Sequence, residues 1–491
     1  MLDNAAQGYS HPDYTATQNV TLNLSGNLEA DTSNSYAANL YYRHLQRDIL
    51  NSNVNTLVSA STNDGTCTAS SSCPGSNLLA HAVQDIVGTN LQWSNTDPLW
   101  EHTQTFTLGL NLELSHTAFD NQGQDAYVDA SRAMVATDAY MPQASIVART
   151  TRWGLFATST WDANDALSIT ASARYDYANL TLDGWSCVSN DLCDSSASLA
   201  SGQLTDVSGS NSYQRLNPAL GMTYLLAPQL IAFANYAEGL RTPSAIELAC
   251  ADPAVPCSGI PNAFGADPHL DAVVSRTYEI GLRGNLGSQL KWRTAYYQTR
   301  LENDILFNQS SLTTGYFSNV GATLRQGLEI GMDGHHRAWD YAVDLDWIQA
   351  TYQSTFMVAN PANSAPATPV QPGDYLPGIP AWVLKTRLSY ALNTTDRVGL
   401  AVQAQGPSYA RGDENNADVH GQVPGFTTVS VDLHHSLGKS LQLNAGVNNL
   451  LDQRYANYGV LATNLISTGA AEQFQSLGAP RSLYVGLQAR F

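Results

Sequence analysis

The sequence predicts an all-β chain, a transmembrane antiparallel β-barrel, and three observations predict it. Apolar and polar residues alternate with a period of two along segments of ~9–14 residues, which match the ~9–11 that a tilted strand needs to cross a bilayer. Connections between these segments alternate strictly between short and long. No stretch reaches the ~18 consecutive apolar residues of a membrane helix. The first observation separates strand from helix. The second separates a membrane meander, with tight turns at one end and large loops at the other, from a soluble sandwich that has no reason to keep that asymmetry.

About 17 strands are expected. The first four fall at 18–28, 35–49, 84–94 and 103–118. In the last of these Phe106, Leu108, Leu110, Leu112 and Leu114 face one way, and Thr107, Gly109, Asn111, Glu113 and Ser115 the other. The next four fall at 146–162, 166–182, 213–226 and 229–239, where Leu167, Ile169, Ala171, Ala173, Tyr175 and Tyr177 oppose Ser168, Thr170, Ser172, Arg174 and Asp176. Five follow at 274–286, 290–307, 324–336, 339–355 and 381–392, and their polar faces carry Glu279, Arg283, Lys291, Arg293, Asp344 and Asp346. The last four lie at 396–409, 426–438, 441–450 and 480–491, ending with Leu483, Val485, Leu487, Ala489 and Phe491 on a single face. Long loops are expected at 50–83, 119–145, 183–212, 240–273, 308–323, 356–380, 410–425 and 451–479. Aromatics gather near strand ends: Tyr41, Tyr42, Trp153, Trp161, Tyr175, Tyr177, Tyr296, Trp347, Tyr390 and Tyr409. A ring with a polar handle suits the headgroup level.

Composition agrees. Charged residues are 13%, about half the ~25% usual for soluble proteins, while apolar residues reach 43%. The net charge of −19 and the lack of any basic patch exclude a nucleic-acid partner. No Gly-Xaa-Ser-Xaa-Gly elbow, His-Glu-Xaa-Xaa-His pair or paired-Cys zinc pattern occurs, so an enzyme is not expected, nor any cofactor. The adjacent pairs His335/His336 and His434/His435 would point to opposite faces of a strand and cannot chelate a metal together. Six cysteines form three local pairs, Cys67/Cys73, Cys187/Cys193 and Cys250/Cys257, each in a different long loop. Separate loops make local disulfides the economical pairing, which implies an oxidising compartment.

Four motifs then point to a family. Glu238-Gly239-Leu240-Arg241-Thr242-Pro243-Ser244 runs on to Glu247-Leu248. Phe317-Ser318-Asn319-Val320-Gly321 precedes Arg325-Gln326-Gly327-Leu328-Glu329. Asn448-Asn449-Leu450-Leu451-Asp452 precedes Tyr455, and Gly478-Ala479-Pro480-Arg481 leads to Phe491. In this order they resemble the TonB-dependent outer-membrane receptors, with Leu240 standing where those often carry an aromatic. The resemblance implies a 22-stranded barrel filled by a plug domain, of which residues 1–491 would be one β-barrel domain, incomplete at its N-terminus. No signal peptide and no plug is visible before Gln18, so the chain reads as the C-terminal portion of a longer receptor.

The implied function is energy-coupled uptake of a scarce ligand across the outer membrane of a Gram-negative bacterium. A ferric siderophore or another metal chelate leads by base rate. Cobalamin, haem, a sugar or a small cofactor are the other ligands, and a passive porin-like channel is the alternative class. Implied partners are outer-membrane lipid, the TonB–ExbB–ExbD complex acting through the plug, the barrel-assembly machinery and a small-molecule ligand, with the receptor a monomer. For ligand capture the loop residues Trp185, Tyr213, Arg241, Phe264, His269, Tyr316, Tyr375 and Arg411 are the candidates, because long loops must grip what they collect. Phe491, a terminal aromatic on an alternating strand, resembles the signal read by the assembly machinery.

Overall fold

The structure is a computed structural model that describes residues 10–54, 73–129, 131–137, 139–187, 198, 201, 203–249, 251, 257–258, 270–309, 314–358, 368–438, 440–464 and 470–489. Seventeen long strands form one antiparallel meander in which each pairs with the next. They are β1 (Tyr14–Glu29), β2 (Asn34–Val54), β3 (Cys73–Asn95), β4 (Gln104–Val128), β5 (Met141–Asp162), β6 (Leu167–Cys187), β7 (Gly209–Ala227), β8 (Leu230–Arg241) and β9 (Val273–Leu286). The wall continues with β10 (Leu290–Glu302), β11 (Thr323–His336), β12 (Trp339–Tyr352), β13 (Trp382–Ala391), β14 (Asp396–Gln405), β15 (Phe426–Ser436), β16 (Leu441–Asn448) and β17 (Ser482–Ala489). The expected rhythm holds throughout: tight turns close one end and long connections stand at the other.

The tight end is built from short polar side chains that replace ladder partners. Asp31 accepts the N–H groups of Ser33 and Asn34, both at 2.8 Å. Asn164 holds those of Ala166 and Leu167 at 2.9 and 3.0 Å, and Asn393 those of Thr395 and Asp396 at 2.8 Å. These are Asx turns, in which the side chain mimics a backbone carbonyl. The hydrogen bonds keep the Asp31 carboxyl below the usual carboxylate range. Gly287 turns the β9–β10 hairpin at φ +63, a left-handed backbone that a Cβ disfavours.

The alternation sorts side chains inside out relative to a soluble protein. Leu24, Ile280 and Leu483 are 72%, 62% and 80% exposed, and Leu108, Leu110, Leu112 and Leu114 are exposed together on β4. Such a continuous apolar skin has to meet lipid rather than water. Its height can be read from tryptophans. Trp153/Trp161 on β5, Trp339/Trp347 on β12 and Trp382/Tyr390 on β13 are each eight residues apart on the outward face. The register aligns Trp347 with Trp382 and Trp339 with Tyr390, whose rings lie 4.5 Å apart. Eight residues span about 26 Å along a strand and about 20 Å along the membrane normal at ~40° tilt. The rings themselves bring this to the ~25 Å apolar band flanked by aromatic girdles.

Three details differ from the sequence reading. Strands β2 to β6 run 21–25 residues, well beyond the second girdle. There is no lipid above the girdle for a side chain to face, so the apolar alternation fades while backbone pairing continues, as from Leu50↔Leu79 to Val54↔Gly75. The strand expected at 290–307 instead ends at Glu302, where Asn303 takes φ +54, and resumes as Ile305–Gln309 in a separate sheet with Thr314–Asn319. Tyr41 faces the lumen rather than the headgroups, its hydroxyl donating to Glu113 at 2.9 Å. Among the described residues no ladder joins β1 to β17, and all sixteen residues of β1 are exposed.

The candidate ligand site in the lumen

The polar face of the strands lines the lumen, and its charges are tied to one another. Arg174 Nε meets Asp176 at 2.6 Å and Arg174 Nη1 donates to Asn111 at 2.6 Å. Asn217 donates to the second Asp176 oxygen at 2.9 Å. Arg152 stands 3.5 Å from Glu113. Further round the wall Arg293 pairs with Asp344 at 2.8 Å and Arg387 with Asp432 at 2.9 Å. A sheet with one watered face and one lipid face can hold these ions only on the watered side.

One external loop dips into this lumen. After β8 the chain turns through Pro243 into a one-turn helix, Ala245–Leu248. Ser244 caps it and Glu247 reaches back to the Ser244 N–H at 2.7 Å, a complete capping box. Leu248, with no exposure, packs with Ala249 and Leu270 against Ala144, Ile146, Ala148, Leu180 and Leu182 on the inner upper wall of β5 and β6. Arg241, whose Nη1 donates to both Glu247 carboxylate oxygens at 2.9 and 3.0 Å, is thereby carried over the lumen. Beneath it lies a cavity of about 600 Å³ lined by Tyr41, Asn90, Asn111, Glu113, Arg152, Arg174, Asp176, Arg241 and Thr242, among others. A second cavity of about 280 Å³ lies along β12 to β15, with Asp344, Lys385 and Arg387 in its lining.

A third lumen feature is an acidic row. Glu329 and Asp346 stand directly opposite each other in the β11–β12 register, and Glu279 lies one strand away across β10. Like charges in register repel. Among the described residues neither Glu329 nor Asp346 makes an ion pair.

The structure disperses the loop candidates. Arg241 lines the larger cavity. Tyr213 is buried on β7 and donates to the Leu270 carbonyl at 3.0 Å, anchoring the dipping loop. Trp185 sits on β6 opposite Ser145, on the face away from the buried Ala144 and Ile146. Tyr316 pairs with Asn308 in the separate three-stranded sheet. Tyr375 and Arg411 belong to another loop cluster: Tyr375 stacks on Tyr409 at 5.9 Å, Asn416 grips its backbone, and the Arg411 backbone is knitted to Gly459 and Leu461. That cluster buries Asp413, whose carboxyl is pushed up to about 6 by burial. Phe264, His269 and Phe491 lie outside the described residues. Cys187 is disulfide-bonded, whereas Cys67, Cys193 and Cys250 lie outside the described residues, as do the side chains of Cys73 and Cys257. His434 meets Asp432 at 3.0 Å and His435 meets Asp396 at 2.6 Å, so the two neighbours have separate partners. The lumen residues Tyr41, Asn90 and Glu113 were not singled out as ligand contacts, since mid-strand polar residues carry no local signal. Only the cross-strand register brings them together.

Comparison with known proteins follows from this geometry. The family model described as TonB dependent receptor-like, beta-barrel, matches residues 2–450. Among solved structures, the closed form of the ferric-catecholate import receptor Fiu from E. coli K12 superposes with a TM-score of 0.73 at 16% identity, covering 98% of this chain and 65% of that one. The siderophore receptor PiuA from Acinetobacter baumannii gives 0.69 at 13% identity, covering 97% and 65%. The copper transporter OprC gives 0.64 at 18% identity, covering 97% and 66%. The chain therefore spans just under two-thirds of the length of these proteins.

Proposed function

The chain belongs to the TonB-dependent receptor β-barrel family, and from that premise we propose that it forms the wall of an outer-membrane receptor importing a scarce metal chelate by energy-coupled transport. The family is one of receptors and transporters rather than enzymes. The observation that carries the reading is the roofed cavity: a loop from the external end folds inward, docks Leu248 on the inner wall and places Arg241 over about 600 Å³ of polar lumen. Such a roof suits a receptor that must hold a rare ligand long enough for a slow, energised step.

The acidic row Glu279, Glu329 and Asp346 supports the same reading. Repulsion along this stretch of lumen wall is relieved further when a cationic surface enters, and a lumen-filling domain coupled to the TonB–ExbB–ExbD complex would supply one. Among the described residues β1 and β17 each pair on one side only, and such edges likewise call for strand partners, since unpaired backbone is not tolerated in hydrocarbon. In this reading the wall sits in the outer membrane of a Gram-negative cell, is inserted by the barrel-assembly machinery with Phe491 as its terminal signal, and works as a monomer. The loop cysteines close as Cys67–Cys73, Cys187–Cys193 and Cys250–Cys257. Trp185, Tyr213, Phe264, His269, Tyr316, Tyr375 and Arg411 remain candidates at the mouth alongside Arg241.

The test is uptake of radioiron chelates by cells expressing the full-length gene under iron limitation, with and without a protonophore. Energy-dependent accumulation above the deletion strain is expected. Accumulation unaffected by the protonophore would convert the receptor into a passive channel and refute the proposal.

A further inference from the structure

We infer that the outward wall of β8 to β10, just beyond the external girdle, is a docking site for a phosphorylated glycolipid of the outer leaflet. The inference rests on the outer-membrane placement proposed above and is independent of what the lumen carries.

Three layers stand on one face. Tyr278 and Ile280, both exposed, fix the lipid-facing parity of β9, and Tyr296, in register with Leu328 and Trp347, fixes that of β10. Trp339 adjoins the tight turn between β11 and β12, so Trp347 marks the external girdle. Two residues beyond Tyr296 comes Gln298, opposite Tyr278 on one side and Gln326 on the other. Four residues beyond, or about 10 Å further out along the membrane normal, comes Arg300, directly opposite Arg276. Alternation keeps these residues outside, and the intervening Thr277 and Thr299 hydroxyls meet each other at 2.9 Å on the lumen face. The outward wall thus passes from apolar side chains through neutral hydrogen-bonding groups to guanidinium. A phosphorylated glycolipid presents acyl chain, sugar and phosphate in the same order.

The outermost layer holds more cations than carboxylates. Arg215, Arg276 and Arg300 share Glu238 and Glu302. Arg215 donates to Glu238, Arg276 stands 3.7 Å from Glu238 and 2.6 Å from Glu302, and Arg300 stands 3.9 Å from Glu302. Among the described residues the half-exposed Arg300 makes no hydrogen bond, so its guanidinium donors face solvent or headgroup. Like charges in register repel, and a phosphate seated between Arg276 and Arg300 answers both through charge-assisted N–H···O bonds. The middle layer favours the sugar. Among the described residues Gln298 also makes no hydrogen bond, and an amide that both donates and accepts is matched by hydroxyl and N-acyl groups, whereas a glycerol ester only accepts. The feature is local. On β2 and β3 the outward face carries Asp85 and Asp48, held by His44 at 2.9 Å and His81 at 2.6 Å, and offers phosphate no such excess of cations.

The test places the full-length receptor in phosphatidylcholine discs doped with a diphosphorylated glucosamine-disaccharide lipid, with the same lipid dephosphorylated, or with phosphatidylglycerol. Lipid retained on release from the discs is read by native mass spectrometry. The diphosphorylated lipid is expected to be retained about tenfold over either of the others. Arg300→Gln, alone and combined with Arg276→Gln, should cut that excess to about twofold or less, the single variant sparing every hydrogen bond of the cluster. Arg293→Gln, which removes the same charge from the lumen face of β10, should leave the excess unchanged. Equal retention of the dephosphorylated lipid or of phosphatidylglycerol, or an excess that survives both Arg300 variants, would overturn the inference and leave the receptor reading standing. Failure of the receptor to enter the discs would overturn the membrane placement and the inference with it.

Discussion

Val343 and Ala342 are neighbours on β12 that the wall sends to opposite solvents, so one substitution made at each position tests the barrel at a single level of the membrane. Val343 lies midway between Trp339 and Trp347 on the outward face, four residues from each, or about 13 Å along the strand. Its cross-strand neighbour Met332 is 39% exposed on the same face. Ala342 lines the lumen cavity with Asp344 and Arg387. An arginine at the bilayer midplane of a barrel costs about 2–4 kcal/mol. At ~1.4 kcal/mol per decade, Val343→Arg is expected to lower the folding equilibrium constant by about 30- to 1000-fold. The Ala342→Arg side chain stays in water with Asp344 at hand to offset Arg387, and its cost is expected below ~1 kcal/mol. The assay is guanidinium unfolding of the full-length receptor reconstituted in phosphatidylcholine vesicles. Equal costs at the two positions, or a larger cost at Ala342, would refute the assignment of lipid and lumen faces.

Three further outcomes follow from the loops. Leu248→Ala removes a fully buried side chain from the roof contact, at a cost of about 2–5 kcal/mol, so hydrogen exchange across 242–249 should accelerate while the strands below keep their protection. Asp413 is raised from an ordinary 3.8 to about 6 by burial, so the native loop holds its proton more tightly than the unfolded chain does. The stabilisation is therefore complete below about pH 3.8 and lost as pH rises through about 6. Protection of 410–423 should accordingly fall between pH 5 and pH 7.5, and Asp413→Asn, which keeps the acceptor for the Ala417 and Asp418 N–H groups, should lessen that fall, the remainder belonging to the Glu414 carboxyl, which burial also raises. Alkylation of the unreduced protein should block no thiol at Cys187, whereas labelling there without reductant would contradict its disulfide.

The wall was legible in the sequence because lipid enforces it. Outward residues between the girdles are mostly apolar, so β4 announces itself through Leu108, Leu110, Leu112 and Leu114. Beyond the girdle that constraint ends, and the upper reaches of β2 and β3 continue on backbone pairing that leaves no pattern in side-chain type. Tyr41 shows the same limit. As a residue type it suits an interface, and only its register against β3 and β4 turns it toward Glu113. The roof of the cavity was half visible: the Arg241-to-Leu248 stretch stood out as a motif, but its inward dip depends on Leu248 finding Ile146 and Leu182, about 65–100 residues earlier in the chain. The mouth candidates were chosen by residue type alone, which is why the structure scatters them between a loop anchor (Tyr213), a separate sheet (Tyr316) and a second cluster (Tyr375, Arg411).

The claim on which the rest depends is that β12 has one face in lipid and the other in the lumen. Spin labels placed singly from position 339 to 347 of the full-length receptor in vesicles measure this directly through collisions with oxygen, which concentrates in lipid, and with a water-soluble nickel chelate. The wall described here predicts a strict period of two, with oxygen favoured at 339, 341, 343, 345 and 347 and nickel favoured at 340, 342, 344 and 346. Oxygen and nickel accessibilities that rise and fall together along the strand, or that show no period, would contradict it.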